Sequence, residues 1–205
     1  MKNKSLNILA FDTSTEACTI ALQTNQETCF FHDKTPNAHT QILLPKIQEL
    51  LRSVDITLQE LDCIAFGQGP GSFTGVRIAA SAAQGLAFGL QIPVIGISTL
   101  QTIAQGAYRI NTLPKICATI DARMHEFYWG LYAVNQANIC QLVGEEQVSP
   151  YETIKQMLSD YVLIENILPH AEDMLLLAQD KIKNKNFDVT PLAAQPVYIR
   201  NKVTE

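Results

Sequence analysis

Basic charge is scarce in this chain. Its 205 residues include 15 Lys and Arg against 20 Asp and Glu, which leaves a net charge of −5 and a sequence pI of about 5.4. A protein that holds a nucleic-acid backbone unaided needs clustered Lys and Arg side chains. We therefore exclude a stand-alone nucleic-acid-binding role, and any contact with RNA would depend on a more basic partner.

Paired cysteine spacings and long apolar runs are missing as well. The cysteines are odd in number, none stands in a C-x-x-C pair, and they occupy positions 18, 29, 63, 117 and 140. This usage predicts reduced thiols in a cytosolic protein. Asp12 interrupts the first apolar run, so no signal peptide is expected. Residues 78–108 carry no charge, yet Gln, Pro, Ser and Gly interrupt them, which argues against a membrane span.

Common catalytic and metal-binding motifs are absent. Neither H-E-x-x-H nor G-x-S-x-G occurs, and the four histidines are too scattered for a zinc site. His39 is expected to cap a helix or to face solvent.

The glycine-rich stretch from Gly67 lacks the Lys of G-x-x-x-x-G-K-[ST] and does not fit G-x-G-x-x-G, so it indicates phosphate binding only weakly.

The stretch from residue 67 to residue 89 is the most informative part of the chain. Closely spaced glycines predict a tight loop, Ser72 is a candidate N-cap, and a helix is expected from residue 74. Residues four apart share a helix face, and three such rows run along this helix. They are Gly75, Ala79, Ala83 and Ala87; Ser81, Gly85 and Gly89; and Ile78, Ala82, Leu86 and Leu90. Such a helix is buried on several sides, either by the chain's own core or by a partner protein.

The remaining pattern predicts a mixed α/β fold made of two related halves. Strands are expected at 6–12, 17–23, 27–32, 63–67 and 93–97, with helices at 39–54, 74–89 and 98–108. The opening pattern returns at 115–121 and 127–134, and helices follow at 150–158 and 169–182. Asp12 and Asp121 end the first strand of each half, which indicates a weak internal repeat. We place the halves at 1–103 and 104–205.

Four segments, in order along nearly the whole chain, closely resemble the TsaB (YeaZ) family. They are ILAFDTSTEACTIAL at 8–22, GQGPGSFTGVRIA at 67–79, IDARMHEFYWG at 120–130 and PVYIRN at 196–201. The chain departs from the family between about 159 and 169, where family members carry a longer segment. In the related TsaD family an H-x-x-x-H motif aligns with His39, but its second position here is Leu43, so no metal ligand set is implied.

The resemblance implies an actin-like ATPase (ribonuclease H-like) fold with two βββαβα-type halves. It also implies a non-catalytic, cytoplasmic scaffold that activates a TsaD-type enzyme, which transfers threonylcarbamoyl to the adenosine next to the anticodon of tRNAs. A TsaE-type ATPase belongs to the same complex, and tRNA is contacted only through that complex. This chain alone is expected to need no cofactor. If ATP or ADP with Mg²⁺ is bound, the resemblance implies that it is bound only within the complex. The free chain is expected to form a homodimer.

Two sets of candidate site residues follow. The helices at 39–54 and 74–89 are expected to form half of a four-helix bundle with the partner's equivalent pair. The partner-interface candidates are His39, Leu43, Ile47, Leu50, Phe73, Gly75, Val76, Ala79, Ala80, Ala83 and Ala87. The nucleotide-binding candidates are Asp12, Thr13, Gly71, Ser72 and Arg77.

An enzymatic alternative stays open at this point. It is an actin-like ATPase or phosphotransferase in which Asp12 and Asp121 hold Mg²⁺ and the loop at 69–75 holds phosphate. Asp12 is also interpretable as a turn residue whose carboxylate accepts backbone N–H groups. No Gly-Gly pair follows Gly89, so the glycine-rich adenosine-binding turn that this alternative needs is not apparent.

Overall fold

A computed structural model describes residues 6–34, 38–185, 187 and 190–199. The first sheet has five strands: β1 (Ile8–Asp12), β2 (Ala17–Gln23), β3 (Thr28–Lys34), β4 (Cys63–Gly69) and β5 (Val94–Ser98). Their order in the sheet is β3-β2-β1-β4-β5. The first three strands pair antiparallel, and β1, β4 and β5 pair parallel. The predicted mixed sheet is confirmed.

Two helices cover one face of this sheet. They are α1 (His39–Ser53) and α2 (Phe73–Leu90), and the short 3-10 turns Leu58–Glu60 and Pro191–Ala193 lie among the connections. Leu43 and Ile47 of α1 pack with Ala79 and Ala83 of α2 against the apolar side chains of β1, β2 and β4. Small alanines bring α2 close to the strands, and truncating a buried leucine such as Leu43 would cost about 2–5 kcal/mol.

The second half repeats the first. Its strands are β6 (Lys115–Asp121), β7 (Glu126–Val134), β8 (Cys140–Pro150) and β9 (Val162–Ile164), and they lie in the order β8-β7-β6-β9. This order matches β3-β2-β1-β4, so the expected repeat is confirmed. The sequence pattern did not predict β8. The three-residue β9 lies in the region expected to be shortened, where it still pairs parallel with β6.

Three further helices pack between and outside the sheets: α3 (Thr99–Asn111), α4 (Tyr151–Met157) and α5 (Ala171–Lys183). Helix α5 packs through Met174 and Ala178 on the second face of the first sheet. Helix α3 packs through Ile103 and Ala107 on the inner face of the second sheet, and α4 covers that sheet's outer face. The boundary predicted at 103/104 therefore falls inside α3, and α5 of the second half completes the core of the first.

A partly buried ion pair joins α3 to α5. The Arg109 guanidinium donates from Nε and Nη2 to the two carboxylate oxygens of Asp173, at 2.8 and 3.0 Å. Asp173 is fully buried, and its carboxylate raises the pKa of Arg109. Removing Arg109 would leave the buried Asp173 carboxylate without its partner, at a cost of about 3–5 kcal/mol. Removing Asp173 would cost less, because the Arg109 side chain is 41% exposed and reaches water.

Candidate functional site

The glycine-rich loop is filled by the chain's own β1–β2 turn. Ser72 donates its backbone N–H to the Ser14 carbonyl at 2.7 Å, and the Thr13 hydroxyl donates to the Gly75 carbonyl at 2.7 Å. A Cβ at Gly71 would lie 2.3 Å from the Ser14 carbonyl oxygen, and one at Gly75 would lie 2.0 Å from that of Thr13. Glycine is required at both positions because backbone approaches backbone there. The close approach serves this chain's own turn.

Asp12 lies beneath that turn with its carboxylate fully engaged. The Ser14 backbone N–H donates to Oδ1, and the Thr99 hydroxyl donates to Oδ2 at 3.0 Å. Asp12 and Thr13 are completely buried, and burial raises the pKa of the Asp12 carboxyl despite these hydrogen bonds. This arrangement matches the interpretation of Asp12 as a turn residue that accepts backbone N–H groups.

The nucleotide-binding candidates are thus only partly brought together. Asp12, Thr13, Gly71 and Ser72 converge on one turn, but the carboxylate that would approach Mg²⁺ is inaccessible in this conformation. Ser72 acts as the N-cap of α2, its hydroxyl accepting from the Gly75 N–H at 3.4 Å, as predicted. Arg77 lies apart from this turn on the exposed side of α2.

Asp121, the second residue of the enzymatic alternative, has a very different environment. Its side chain is 61% exposed and accepts the Arg123 backbone N–H at 2.8 Å. Across the described ranges, no group of three or more His, Cys, Asp or Glu residues is arranged to hold a metal ion. The matched strand positions of Asp12 and Asp121 therefore carry one buried and one exposed carboxylate.

Helix α2 presents to the sheet the row that was assigned to the partner. Its six buried residues are Gly75, Val76, Ala79, Ala80, Ala83 and Ala87. On α1, His39, Leu43 and Ile47 are buried as well, whereas Leu50 is half-buried and Phe73 of α2 is 51% exposed. The interface assignment is corrected for eight of these nine buried residues, because side chains enclosed by the chain's own core have no surface to offer a partner. The ninth, Leu43, also lines a groove between α1 and α2.

His39 also differs from its prediction. It is buried, its Nε2 lies 3.0 Å from the Thr15 carbonyl oxygen, and Ala38 is the N-cap of α1. The imidazole therefore ties the start of α1 to the β1–β2 turn. It neither caps the helix nor faces solvent.

The outward faces of α1 and α2 form a shallow groove of about 570 Å³. Exposed apolar side chains at its border include Leu44, 48% exposed, and Phe73. Ser81 and Gly85 belong to the second small-residue row and face outward, and a Cβ at Gly85 would meet no other atom within 4 Å. The sequence pattern contained this row, but nothing in a four-residue spacing distinguishes the face that meets the core from the face that meets solvent.

One end of the groove is closed by aromatic and cationic side chains. The Arg77 guanidinium stacks 3.4 Å from the ring centroid of Phe73 and donates through Nε to the Tyr198 hydroxyl at 2.9 Å. Val197 donates its backbone N–H to the Gln68 carbonyl at 2.8 Å. Residues 197 and 198 are thereby held against the loop and against the first turn of α2.

None of the helices in the described residues is both long enough and apolar enough to cross a membrane.

Comparison with known proteins identifies relatives along nearly the whole chain. The family model described as "TsaD: tRNA N6-adenosine threonylcarbamoyltransferase" matches residues 33–193. A protein named tRNA threonylcarbamoyladenosine biosynthesis protein TsaB, from Escherichia coli strain K12, is 39% identical over 97% of this chain and 96% of its own length. The Haemophilus influenzae protein of that name is 36% identical over 98% and 96%. The solved structure described as "YeaZ from Pseudomonas aeruginosa" superposes with a TM-score of 0.87 at 40% identity, covering 95% of this chain and 100% of that one.

Proposed function

The chain belongs to the TsaB family of tRNA threonylcarbamoyladenosine biosynthesis proteins, and from that membership we propose that it is a non-catalytic scaffold. Its role is to bind and activate a TsaD-type enzyme that transfers threonylcarbamoyl to the adenosine next to the anticodon. The observation that carries the proposal is the groove between the outward faces of α1 and α2. Exposed apolar side chains gathered on one helix pair are typical of a protein interface.

A helix pair of the same kind is the partner surface that fits this groove. The family model that matches residues 33–193 is named for TsaD, and this span includes both α1 and α2. A TsaD-type subunit is therefore expected to carry a corresponding pair, and two pairs packed together make a four-helix bundle. The outward row of Ser81 and Gly85 allows close helix approach, while Leu44 and Phe73 supply apolar area.

The environment of Asp12 supports the non-catalytic part of the proposal. A carboxylate that holds a metal-bound phosphate must reach its ligand, but Asp12 is fully buried and its oxygens are taken by Ser14 and Thr99. The loop that would hold phosphate already encloses the chain's own turn. Any ATP or ADP with Mg²⁺ is then bound within the complex and not by this chain alone.

The remaining partners are proposed on the same basis. With a net charge of −5, the chain contacts tRNA only through the complex. A TsaE-type ATPase joins the assembly. In the absence of TsaD, the same apolar groove supports a homodimer, since one patch on both copies favours two-fold pairing.

A pair of matched leucine variants tests this surface. Leu44 of α1 is 48% exposed in the groove, and Leu176 of α5 is 42% exposed on another side of the molecule. Leu44→Glu should weaken binding to the TsaD-type protein by about tenfold or more, because it places an unpaired charge in the interface. Leu176→Glu should leave the affinity unchanged, and neither exposed substitution should alter the melting temperature much.

Affinity is measured by isothermal titration calorimetry, and complex size by chromatography with light scattering. Equal affinities for Leu44→Glu and the original chain would remove the groove from the interface. A loss produced equally by Leu176→Glu would show that added negative charge, and not the groove, is responsible.

A further inference from the structure

A second cleft, of about 420 Å³, lies between the two halves and away from the groove on α1 and α2. Elements of both halves line it: β4 and β5 of the first sheet, β7 and β8 of the second, and α5. Each of these five elements contributes a polar or ionisable residue to the lining: Gln68, Ser98, Tyr132, Glu146 and Lys181. Gln101 and Glu145 line it as well. Clefts with convergent polar groups are where small ligands bind.

Glu146 is placed in the cleft by an irregularity in β8. Trp129 pairs with Gln147 and Leu131 pairs with Val143, so three residues of β8 lie opposite a single residue of β7. Gly144, at the start of this bulge, has a φ of +82°. Bulges redirect side chains and are frequent beside functional sites. This one directs Glu146 toward Ser98 and Tyr132, whose hydroxyls both donate to its Oε1.

Lys181 approaches from the opposite wall, on α5. Its ammonium donates one hydrogen bond, of 2.7 Å, to the Gly96 carbonyl. A lysine ammonium has three donors, so two remain for another acceptor. Oε2 of Glu146 likewise accepts no hydrogen bond from the described part of the chain.

These opposite charges share a cleft but form no ion pair with each other within the residues that the structure describes. Partial burial raises the pKa of Glu146 and lowers the pKa of Lys181, so the contacts that each charged form makes compensate only partly for lost hydration. The attraction between them is too weak to reverse either shift. A ligand with a positive and a negative group could satisfy both residues at once.

We propose that the cleft between the halves binds a small zwitterion of the amino-acid class. Its ammonium group lies on Oε2 of Glu146, and its carboxylate accepts from Lys181. Gln68 and Leu142 lie at the remaining walls, where they contact the ligand's other atoms. This site is independent of the proposed pairing with a TsaD-type enzyme.

The test uses zwitterions of increasing charge separation: glycine, β-alanine and γ-aminobutyrate. At about 100 times its Kd, a ligand of the folded state must raise the melting temperature. We expect at least one of the three to do so and to give a saturable calorimetric isotherm. Acetate and methylammonium, which carry one charge each, should give neither. Equal stabilisation by a single-charge ion, or none by any zwitterion, would overturn the proposal.

Variants locate the site. Lys181→Met should weaken binding at least tenfold, while Lys183→Met, an exposed lysine on the same helix, should leave Kd unchanged. Because Lys181→Met removes a half-buried side chain, its melting curve is recorded first. Leu142→Trp, at a rim position 41% exposed, fills the cleft without touching either charge and should also abolish binding. Unchanged binding in Leu142→Trp or in folded Lys181→Met would place the ligand elsewhere.

Discussion

His32 and His170 stack with their ring centroids 4.6 Å apart, joining β3 to the first turn of α5. His32 Nδ1 is buried and has no hydrogen-bond partner among the described residues, while His170 Nδ1 accepts the Glu172 N–H as the helix cap. Burial lowers the pKa of both imidazoles, and for His32 the proximity of His170 lowers it further. The folded protein therefore favours two neutral rings.

This pair predicts a loss of stability in mild acid. The unfolded state binds protons at the ordinary histidine pKa of about 6.5, and the folded state binds them only at lower pH. The histidine contribution to the free energy of unfolding is then complete above about pH 7 and is lost as the pH falls below about 6.5. Urea unfolding at several pH values measures it.

His32→Gln should make that pH dependence shallower, and His125→Asn, in an exposed turn, should not. The difference between variant and original chain is the quantity to compare. Asp12 and Glu146, whose pKa values are raised, contribute with the opposite sign in both proteins. An identical slope for His32→Gln and the original chain would contradict the prediction.

Some single-residue roles could be predicted from the sequence and others could not. The cap role of Ser72 was predictable, because a hydroxyl before a helical pattern can accept a hydrogen bond from a backbone N–H of the first turn. The burial of Asp12 and the contact of His39 with Thr15 could not be predicted. Each forms because the β1–β2 turn packs against a loop or helix that is distant from it in the sequence. Local pattern carries no information about such docking.

At the scale of elements, the two faces of α2 have different environments. Its inner row packs on the sheet, and Ser81 of its outer row lines the groove. The sequence predicted the helix and both rows. It assigned the inner row to the partner because alanines and glycines at a four-residue spacing look alike on either face. The strand β8 was missed because its outer residues are mostly polar and its pairing is interrupted by the bulge.

Two glycine variants should respond in opposite directions. Gly85→Ala should raise the free energy of unfolding by about 0.5–1 kcal/mol, since Ala restricts the unfolded chain and its Cβ meets nothing here. Gly106→Ala on α3 should lower it, because its Cβ would lie 3.0 Å from Oδ2 of the buried Asp173. Urea denaturation of both variants is the measurement. Destabilisation by Gly85→Ala would show that this outer face is enclosed in the free protein.

At the scale of the whole molecule, the repeated strand order was predictable from the recurring apolar strand that ends in Asp. The packing of helices from one half against the sheet of the other could not be predicted. Helix α5 packs on the first sheet, and α3 spans the predicted boundary. Contacts between segments so far apart in sequence leave no periodic signal.

Mg-ATP should leave the melting temperature of the isolated chain unchanged, even at millimolar concentration. The turn from Asp12 to Ser14 already occupies the loop that would hold phosphate. Differential scanning fluorimetry with and without Mg-ATP checks this, because any tight ligand of the folded state must shift the midpoint. A clear shift would favour the actin-like ATPase or phosphotransferase alternative.

The late position of helix α5 in the sequence affects the folding of the chain during its synthesis. The sheet face that it covers is complete once β5 ends at Ser98, but α5 begins only at Ala171, 73 residues later. At about 5–20 residues per second, a ribosome needs roughly 4–15 s to synthesise that interval. Throughout it, the apolar side chains of Ile8, Ile95 and Ile97 have no helix to cover them. The nascent first half therefore exposes an apolar sheet face, prone to aggregation, until α5 has been synthesised.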